Sequence, residues 1–197
     1  MIIAVIVAGG SGSRMQTPVK KQYLHLDGVP ILSRTLLAVD RFAALDRIVL
    51  VVPESDLVWC RTAMLEALHL EHDIQLVTGG RQRQESVWNG LEALRGCDGM
   101  VMIHDGVRPF VRPSLMDACL AGAQVTGACI PAIPITDTLK RVDRNGMIAG
   151  TLDRQQIRLA QTPQSFSIDL IRSAHRLVGR HGAAVTDDAS VAEFAGR

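Results

Sequence analysis

The sequence predicts an α/β fold, in which a mostly parallel β-sheet is flanked by helices and carries a projecting β-hairpin. Short apolar runs rich in Val and Ile alternate with longer segments whose apolar residues recur at helical spacing, a pattern typical of parallel sheets. One segment breaks this alternation with a strand, a turn at Asn145-Gly146 and a second strand. No internal repeat, low-complexity stretch or linker divides the sequence, so residues 1–197 are expected to form one domain.

Strands of the sheet are predicted where the apolar runs are short, at residues 2–7, 47–52, 74–77, 100–103 and 128–132. Helices are predicted between these runs. Apolar residues recur at helical spacing from Ile31 to Val39 and from Leu57 to Leu68. A further helix is expected to begin at Pro113, because proline is favoured in the first helical turn.

A β-hairpin is predicted at residues 137–154. Asn145-Gly146 favours a type I′ turn, in which both central residues have positive φ. The flanking strands at 139–142 and 147–152 are only half apolar, so the hairpin is expected to project from the body as an arm. Unpaired strand edges are often covered by a second subunit, which predicts a homodimer formed through this arm. A surface hairpin with no partner is the alternative.

Composition and charge argue against several classes of function. The formal net charge is +1, so no global field attracts nucleic acid or an anionic membrane. Two Trp, one Tyr and four Phe residues give little surface on which bases could stack. The expected partners are therefore small molecules, with no nucleic acid and no membrane.

The N-terminus and the cysteines indicate a cytoplasmic protein. The apolar start reaches glycines after eight residues, far short of the roughly twenty that a membrane span needs, and lacks the basic beginning of a secretory signal. The four cysteines form no C-x-x-C pair. This spacing predicts free thiols in a reducing compartment rather than disulfides or a zinc site.

A glycine-rich loop, Ala8-Gly9-Gly10-Ser11-Gly12-Ser13-Arg14-Met15, follows the first predicted strand. Glycines at the carboxyl end of a buried strand let backbone N–H groups approach a phosphate closely. The loop matches neither G-x-G-x-x-G nor a P-loop. Arg14, Lys20 and Lys21 add three cations nearby, which suits a polyphosphate, whereas a plain glycine turn is the alternative.

Two further loops carry polar residues at predicted strand ends. Gly79 and Gly80 precede a helix whose start holds Ser86, a hydroxyl able to hydrogen bond a base. Asp105 and Gly106 follow a buried strand, where nucleotide phosphates and their metal ion would lie. The alternatives are an ordinary glycine turn and an aspartate that caps the next turn. His104 is expected to be a hydrogen-bonded, half-buried residue rather than a catalytic base.

A fourth region lies far from these loops in sequence. It comprises Asp137-Thr138-Leu139-Lys140, Arg154 and Gln161-Thr162-Pro163-Gln164-Ser165-Phe166. Its hydroxyls and cations suit the site of an acceptor substrate, and the Arg154 guanidinium suits a phosphate monoester. A plain surface charge is the alternative interpretation of Arg154.

Together the motifs resemble those of the 2-C-methyl-D-erythritol 4-phosphate cytidylyltransferase family. The resemblance runs from residue 2 to about residue 194, and its motifs stand in family order: Gly-x-Gly-x-Arg-Met, Lys-Gln-Tyr-Leu, Gly-Gly-x-x-Arg, Ser-Val-x-Asn-Gly-Leu, His-Asp-x-x-Arg-Pro, Asp-Thr-x-Lys, Gln-Thr-Pro-Gln-x-Phe and Thr-Asp-Asp-Ala-Ser. It implies a Rossmann-like nucleotidyltransferase fold and a transferase of the non-mevalonate isoprenoid pathway. Such an enzyme joins CTP to methylerythritol phosphate, with Mg²⁺ held mainly through the CTP phosphates and no metal site on the protein.

The resemblance also implies a role for individual residues. Arg14 and Lys21 match the cations that stabilise the transition state. The residues that match the CTP site, with Gly80 and Ser86 at the cytosine and Gly106 at the ribose, are Ala8, Gly9, Gly10, Gly12, Gly80, Ser86, Asp105 and Gly106. The residues that match the methylerythritol phosphate site are Thr138, Arg154 and Thr162, of which the two on the arm would serve the neighbouring subunit.

Three departures from the family pattern qualify this resemblance. Family members usually have proline directly before Lys21, where this chain has Lys20, so the catalytic lysine is one of the two, and the Lys-Gln-Tyr string favours Lys21. Arg81 stands where an acidic residue is sometimes found. Family members continue past Arg197 into a further strand with an Asn-x-Lys-x-Thr motif, so either the chain is truncated or the contribution of that lysine is absent.

Two alternative functions stay open from the sequence. A ribitol 5-phosphate cytidylyltransferase shares the glycine loop and the Gln-Thr-Pro-Gln string, although the segments at 86–91 and 186–190 favour the methylerythritol enzyme. A nucleotide-binding relative without turnover is the other alternative.

Overall fold

The computed structural model describes residues 1–10 and 19–196. In chain order, its strands are β1 (Ile2–Val7), β2 (His25–Leu26), β3 (Val29–Pro30), β4 (Arg47–Val52), β5 (Ile74–Thr78), β6 (Met100–Asp105), β7 (Ala128–Cys129), β8 (Ala132–Pro134), β9 (Lys140–Val142), β10 (Ile148–Thr151), β11 (Arg158–Ala160) and β12 (Gln164–Ser167). Its α-helices are α1 (Ile31–Asp40), α2 (Leu57–Trp59), α3 (Arg83–Glu92), α4 (Pro113–Thr126), α5 (Ile168–His181) and α6 (Asp188–Phe194). Short 3₁₀ turns lie at Lys21–Tyr23, Glu54–Asp56 and Arg154–Gln156.

The central sheet has six strands in the order β5-β4-β1-β6-β12-β7. The pairs β1/β4, β1/β6 and β4/β5 are parallel, whereas β12 runs antiparallel to β6 and β7. The prediction of a mostly parallel sheet is therefore confirmed. Val7, the last residue of β1, pairs with Val51 and Asp105, so the carboxyl ends of the neighbouring strands lie together at one edge. We call this the carboxyl edge of the sheet.

Both faces of the sheet are covered by helices, which explains why its strands are almost continuously apolar. In β1, Ile3 and Val5 pack with α3, α5 and α6, whereas Ala4 and Ile6 pack with α1 and α4 on the other face. All four side chains are at most 1% exposed. Complete burial of a Val or Ile side chain contributes about 1.5–3 kcal/mol, so the two apolar layers account for much of the stability of the sheet.

The predicted helices are found, with one difference in type. α4 begins at Pro113 as expected and ends before Gly127, whose φ of 83° is a left-handed conformation that glycine adopts without strain. The helical segment from Leu57 changes after Trp59 into a π-helix at Cys60–Leu65. Its apolar spacing predicted helical structure, but nothing in that spacing distinguishes i→i+5 from i→i+4 hydrogen bonding.

The strand predicted at residues 128–132 is wrong in extent, because it is two strands. β7 ends at Cys129, and β8 begins at Ala132 in a separate ribbon. Pro131 lies between them, and proline has no N–H with which to continue a ladder. β12 was not predicted, since Gln164 and Ser165 at its start are polar and yet buried.

The predicted arm exists and is longer than residues 137–154. β9 pairs with β10 at its outer end, and β8 pairs with β11 below them, so the arm spans residues 132–160. The turn joins the predicted strands but is not type I′. Of the two residues Asn145 and Gly146, only Gly146 has positive φ (79°). The N–H of Gly146 donates to the Asp143 carbonyl (3.1 Å), and the N–H of Asp143 donates to Met147 (2.9 Å). This is the pattern of a three-residue loop with a glycine bulge.

Two further findings concern the cysteines and the helices. All four cysteines, Cys60, Cys97, Cys119 and Cys129, are free, as predicted. Within the part of the chain that the structure describes, no helix is both long and apolar enough to cross a membrane.

Candidate active site

Three loops meet at the carboxyl edge of the sheet. Ala8 follows β1, and its N–H donates to the Val51 carbonyl (2.8 Å). Gly79 follows β5 and donates to the last carbonyl of β4 (2.8 Å), and Gly106 follows β6 and donates to the last carbonyl of β1 (2.9 Å). These bonds continue the parallel ladders beyond the strand ends. The loops are therefore held side by side, in the crevice where α/β sheets bind ligands.

The first two loops are packed closely against each other and against Ser86. A Cβ atom on Gly9 would lie 2.7 Å from the Ser86 Oγ. A Cβ atom on Gly79 would lie 3.0 Å from the same oxygen and 3.3 Å from the Gly9 Cα. A side chain on Gly9 would therefore displace the Ser86 hydroxyl, and one on Gly79 would crowd it, although Ser86 is only 1% exposed.

The loop from Gly79 is fixed by side chains of α3. The Ser86 hydroxyl accepts a hydrogen bond from the Gly80 N–H (3.0 Å) and donates to the Gln82 carbonyl (3.1 Å). One residue earlier, the Glu85 carboxylate accepts from the Arg81 N–H (2.7 Å). A Cβ atom on Gly80 would lie 2.2 Å from the Glu85 Cβ, so this glycine too has no room for a side chain. These contacts with α3 hold the loop backbone in one conformation.

The third loop is equally restricted at Gly106. A Cβ atom there would lie 2.9 Å from both the Ala8 Cβ and the Leu32 Cδ1. The Gly106 carbonyl accepts a hydrogen bond from the buried Thr35 hydroxyl (2.9 Å). The structure thus brings together the predicted nucleotide residues Ala8, Gly9, Gly80, Ser86 and Gly106.

Asp105, at the end of β6, forms ion pairs with two arginines. Its Oδ1 lies 3.2 Å from the Arg83 Nε, and its Oδ2 lies 2.9 Å from the Arg108 Nε. Burial raises the pKa of this carboxyl, but the arginines lower it by more, so the pKa lies below its ordinary value of 3.8. Asp105 is therefore ionised at neutral pH, and both of its oxygens accept hydrogen bonds.

Thr162 joins the edge through His104. The Thr162 hydroxyl lies 2.9 Å from the His104 Nδ1 and accepts a hydrogen bond from the Asp105 N–H (3.3 Å). The other ring nitrogen of His104 lies 3.0 Å from the Arg108 carbonyl. Burial lowers the pKa of His104. The prediction that this histidine is hydrogen bonded is confirmed, although it is buried rather than half-buried.

Arg83 and Arg108 were not among the predicted site residues. Arg83 also bridges to Asp188 on α6 (2.9 Å), which is 1% exposed and lies 3.3 Å from His175. Arg83 is the arginine of Gly-Gly-x-x-Arg, and Arg108 is the arginine of His-Asp-x-x-Arg-Pro. The motifs contained the signal, but only the fold brings both guanidinium groups to Asp105.

The two neighbouring lysines have different surroundings. The Lys20 Nζ lies 2.6 Å from the Asp56 Oδ1, whereas Lys21 is exposed and its ammonium forms no hydrogen bond or ion pair with residues 1–10 or 19–196. Gln22, which follows Lys21, is buried, and its side-chain amide donates to the carbonyls of Ala8 (2.9 Å) and Gly10 (3.1 Å). The turn that carries Lys21 is thus attached to the glycine loop.

The remaining predicted residues lie apart from this edge or outside the described residues. Thr138 and Arg154 are exposed on the arm, and Arg154 donates to the Thr136 carbonyl within it. Neither forms a hydrogen bond or ion pair with the described loops of the carboxyl edge. Gly12 and Arg14 lie outside the described residues.

No group of three or more His, Cys, Asp or Glu side chains within residues 1–10 and 19–196 is arranged to hold a metal ion. Asp105, with its two arginine partners, is an acidic group at the carboxyl edge.

Comparison with known proteins assigns the chain to a family. The family model described as IspD, 2-C-methyl-D-erythritol 4-phosphate cytidylyltransferase, matches residues 2–197. Proteins with this name from Syntrophus aciditrophicus and Pelotomaculum thermopropionicum are 44% and 40% identical to the chain, covering 99% and 100% of it and 83% and 82% of their own length. The crystal structure of 4-diphosphocytidyl-2C-methyl-D-erythritol synthase from Anaerococcus prevotii superposes with a TM-score of 0.86 at 33% identity, covering 100% of the chain and 82% of that structure. The chain therefore belongs to the 2-C-methyl-D-erythritol 4-phosphate cytidylyltransferase family.

Proposed function

We propose that this enzyme transfers CMP from CTP to 2-C-methyl-D-erythritol 4-phosphate, giving 4-diphosphocytidyl-2-C-methyl-D-erythritol and pyrophosphate. The reaction is a step of isoprenoid precursor synthesis by the non-mevalonate pathway. The family supports this activity and favours methylerythritol phosphate over ribitol 5-phosphate as the acceptor. The structural observation that carries the proposal is the meeting of three glycine loops at one sheet edge, with an exposed lysine beside them.

The chemistry requires charge stabilisation more than proton transfer. An oxygen of the acceptor phosphate, already anionic, attacks the α-phosphorus of CTP in line with the departing pyrophosphate. The chain must hold two polyanions in this alignment and offset the charge of the transition state. No general base is needed, which agrees with His104 being buried and hydrogen bonded at both ring nitrogens.

CTP binding is proposed at the three glycine loops. Backbone groups of Ala8, Gly9 and Gly10 would contact the nucleotide, and Gly106 would contact the ribose. Gly80 and Ser86 would read the cytosine. Both hydrogen bonds of the buried Ser86 hydroxyl lie within the loop. The role of Ser86 in CTP binding is therefore supported chiefly by how its hydroxyl orients Gly80.

Among the described residues, Lys21 is the proposed catalytic cation. Arg14, which lies outside them, is the second cation of the proposal. Lys21 is supported over Lys20 because the Lys20 ammonium is already paired with Asp56. An unpaired ammonium can approach the triphosphate without first breaking an ion pair. Stabilising developing charge with such a preorganised group contributes about 2.7–4 kcal/mol to a transition state.

Mg²⁺ is the proposed cofactor, and the donor set at the edge fits an ion that takes most of its ligands from the triphosphate and water. Mg²⁺ prefers oxygen ligands and retains several waters, so it needs few protein groups. Asp105 would face the ion, and Arg83 and Arg108 hold its carboxylate in place. When bound, the ion neutralises part of the triphosphate charge.

The acceptor site is proposed to lie between two subunits. Thr162 belongs to the carboxyl edge, whereas Thr138 and Arg154 lie on the arm. The arm exposes large apolar side chains, each between 41% and 67% exposed: Ile133, Val142, Met147, Ile148, Leu152 and Leu159. Covering them with a second copy would bury this surface and bring arm residues to the partner's site.

A steady-state assay tests the proposal. Release of pyrophosphate is measured with CTP and Mg²⁺, and with methylerythritol 4-phosphate or ribitol 5-phosphate as acceptor. A higher kcat/KM with methylerythritol phosphate is expected. A higher kcat/KM with ribitol phosphate would reassign the acceptor. If pyrophosphate is released with neither acceptor, the protein is a nucleotide-binding relative without turnover.

A further inference from the structure

Asp56 is the centre of a hydrogen-bonded cluster that the proposed chemistry does not use. Its carboxylate accepts from the Lys20 ammonium at both oxygens (2.6 and 2.8 Å) and from the Tyr23 hydroxyl (2.8 Å). Ser55 contributes a further hydrogen bond (2.8 Å). The Asp56 side chain is 12% exposed. We call Lys20, Tyr23 and Asp56 the Asp56 cluster.

The cluster is built for permanent hydrogen bonding. Burial raises the pKa of Asp56, but hydrogen bonds from Lys20, Tyr23 and Ser55 outweigh this effect and hold the pKa below its ordinary value. Burial, together with Cys60 and Asp56, raises the pKa of Tyr23, so the phenol stays protonated and donates. The Tyr23 ring also packs edge-on against Trp59, with ring centroids 4.7 Å apart.

The position of the cluster in the sequence gives it a consequence for Lys21. Lys20 directly precedes the 3₁₀ turn that carries Lys21, Tyr23 is the last residue of that turn, and both are bonded to the same carboxylate. On the other side of the turn, Gln22 is bonded to the glycine loop after β1. The Lys21 backbone is therefore fixed from two sides, while its ammonium forms no bond within the described residues.

We propose that Asp56 is a positioning residue for the reaction, which holds the Lys20–Tyr23 turn so that Lys21 reaches the transferring phosphate. The inference rests on the proposed function through the role of Lys21. Displacing a catalytic group by about 1 Å costs up to about a hundredfold in rate. Because the effect is on a group used in the transition state, it lowers kcat more than it raises KM.

A double-mutant cycle between Asp56 and Lys21 tests this role. In Asp56→Ala, kcat should fall about tenfold or more, with KM for CTP within about threefold of wild type. Asp56→Asn keeps an acceptor for Tyr23 and should have a smaller effect. In a Lys21→Ala background, Asp56→Ala should change kcat by less than about twofold, because the group that it positions is already absent.

Asp40→Ala is the matched control. Asp40 is also a buried carboxylate that holds a loop, since it accepts hydrogen bonds from the N–H groups of Glu71 and His72. Asp40 is the last residue of α1, and Glu71 and His72 lie just before β5 begins. This contact is therefore at the edge of the sheet opposite the carboxyl edge. This variant should lower the melting temperature and leave kcat unchanged.

Hydrogen exchange gives a measurement that does not depend on turnover. The N–H groups of Tyr23 and Leu24 donate to the carbonyls of Lys20 (2.9 Å) and Lys21 (3.3 Å) within the turn. Asp56→Ala should lose protection at both amides, and Asp40→Ala should not.

The outcomes separate the two proposals. If wild-type protein transfers no CMP, the proposed function fails, and exchange at Tyr23 and Leu24 still decides whether Asp56 holds the turn. If wild-type protein is active and Lys21→Ala is impaired, an unchanged kcat in Asp56→Ala overturns the positioning role. The positioning role is also overturned if the effects of Asp56→Ala and Lys21→Ala on kcat multiply in the double variant. It is overturned as well if Asp56→Ala leaves exchange protection at the turn unchanged.

Discussion

The Ser86 hydroxyl oxygen lies 3.0 Å from the backbone nitrogen of Gly80, and the same oxygen leaves no space for a side chain on Gly9. One buried hydroxyl on α3 therefore joins the loops after β1 and β5. In the proposed CTP site, recognition would depend on the distance between these two backbone segments, which are far apart in sequence. The relationship makes Ser86 the residue with which to test the CTP site.

Ser86→Ala should raise KM for CTP by about fivefold to a hundredfold with little change in kcat, because an unsatisfied buried N–H costs about 1–3 kcal/mol. Steady-state kinetics in CTP measure both quantities. Thr126→Val is the control, since the Thr126 hydroxyl also bonds backbone carbonyls but does so at the end of α4, away from the site. An equal KM in Ser86→Ala and wild type would remove Ser86 from nucleotide recognition.

Lys21→Ala should lower kcat by about a hundredfold to a thousandfold with a smaller rise in KM for CTP, and Arg14→Ala should do the same. Lys20→Ala should stay within about fivefold of wild type, because Tyr23 still holds Asp56 and the Lys20 side chain is 32% exposed, so its solvent-screened ion pair contributes about 1 kcal/mol. The comparison uses kcat and KM for the three variants. If kcat falls in Lys20→Ala and is unchanged in Lys21→Ala, the roles of the two lysines are exchanged.

Met147→Asp together with Ile148→Asp should convert a dimer into a monomer, because both side chains are 67% exposed on the arm and would lie buried in the proposed interface. Light scattering at micromolar concentration measures the mass. Val125→Asp changes an equally apolar, 86% exposed residue on α4 and should leave the dimer intact. A wild-type protein that is already monomeric would contradict dimerisation through the arm.

Asp105→Asn should make stability less dependent on pH in the acid range. The folded pKa of Asp105 lies below its ordinary value of 3.8, because Arg83 and Arg108 outweigh burial. Its contribution is therefore fully present above that ordinary value and is lost as pH falls through the lower, folded pKa. Urea unfolding at several pH values between 7 and 3 should give wild type a steeper fall in free energy than Asp105→Asn. Parallel curves would show that the ion pairs do not shift this carboxyl.

The sequence predicted most of the sheet because the strands around β1 are apolar on both faces, a pattern that only a covered parallel sheet requires. It did not predict β12, since Gln164 is buried through hydrogen bonds to Asp187, Asp188 and Ala189 rather than through apolar packing. The turn of the arm was assigned to the wrong type for a similar reason. The Asp143 carboxylate accepts from the N–H groups of Asn145 and Met147, a side-chain contact that favours the three-residue loop.

At the site, motifs located the loops but not their partners. Gly80 and Ser86 were both assigned to the cytosine, whereas their mutual hydrogen bond follows only from the first turn of α3. Likewise, Lys20 and Asp56 are separated by three strands and the helix α1, so no local spacing could have indicated their ion pair. Long-range polar contacts of this kind leave no periodic signal in a sequence.

Identification of the products by ³¹P NMR tests the central claim most directly. Wild-type protein is incubated with CTP, methylerythritol 4-phosphate and Mg²⁺. We expect the three CTP resonances and the monoester resonance of the acceptor to be replaced by one pyrophosphate signal and by the two coupled signals of a diphosphate diester, with the two products in equal molar amounts. Persistence of both starting materials, or formation of CMP and pyrophosphate without the diester, would contradict transfer of the cytidylyl group to this acceptor.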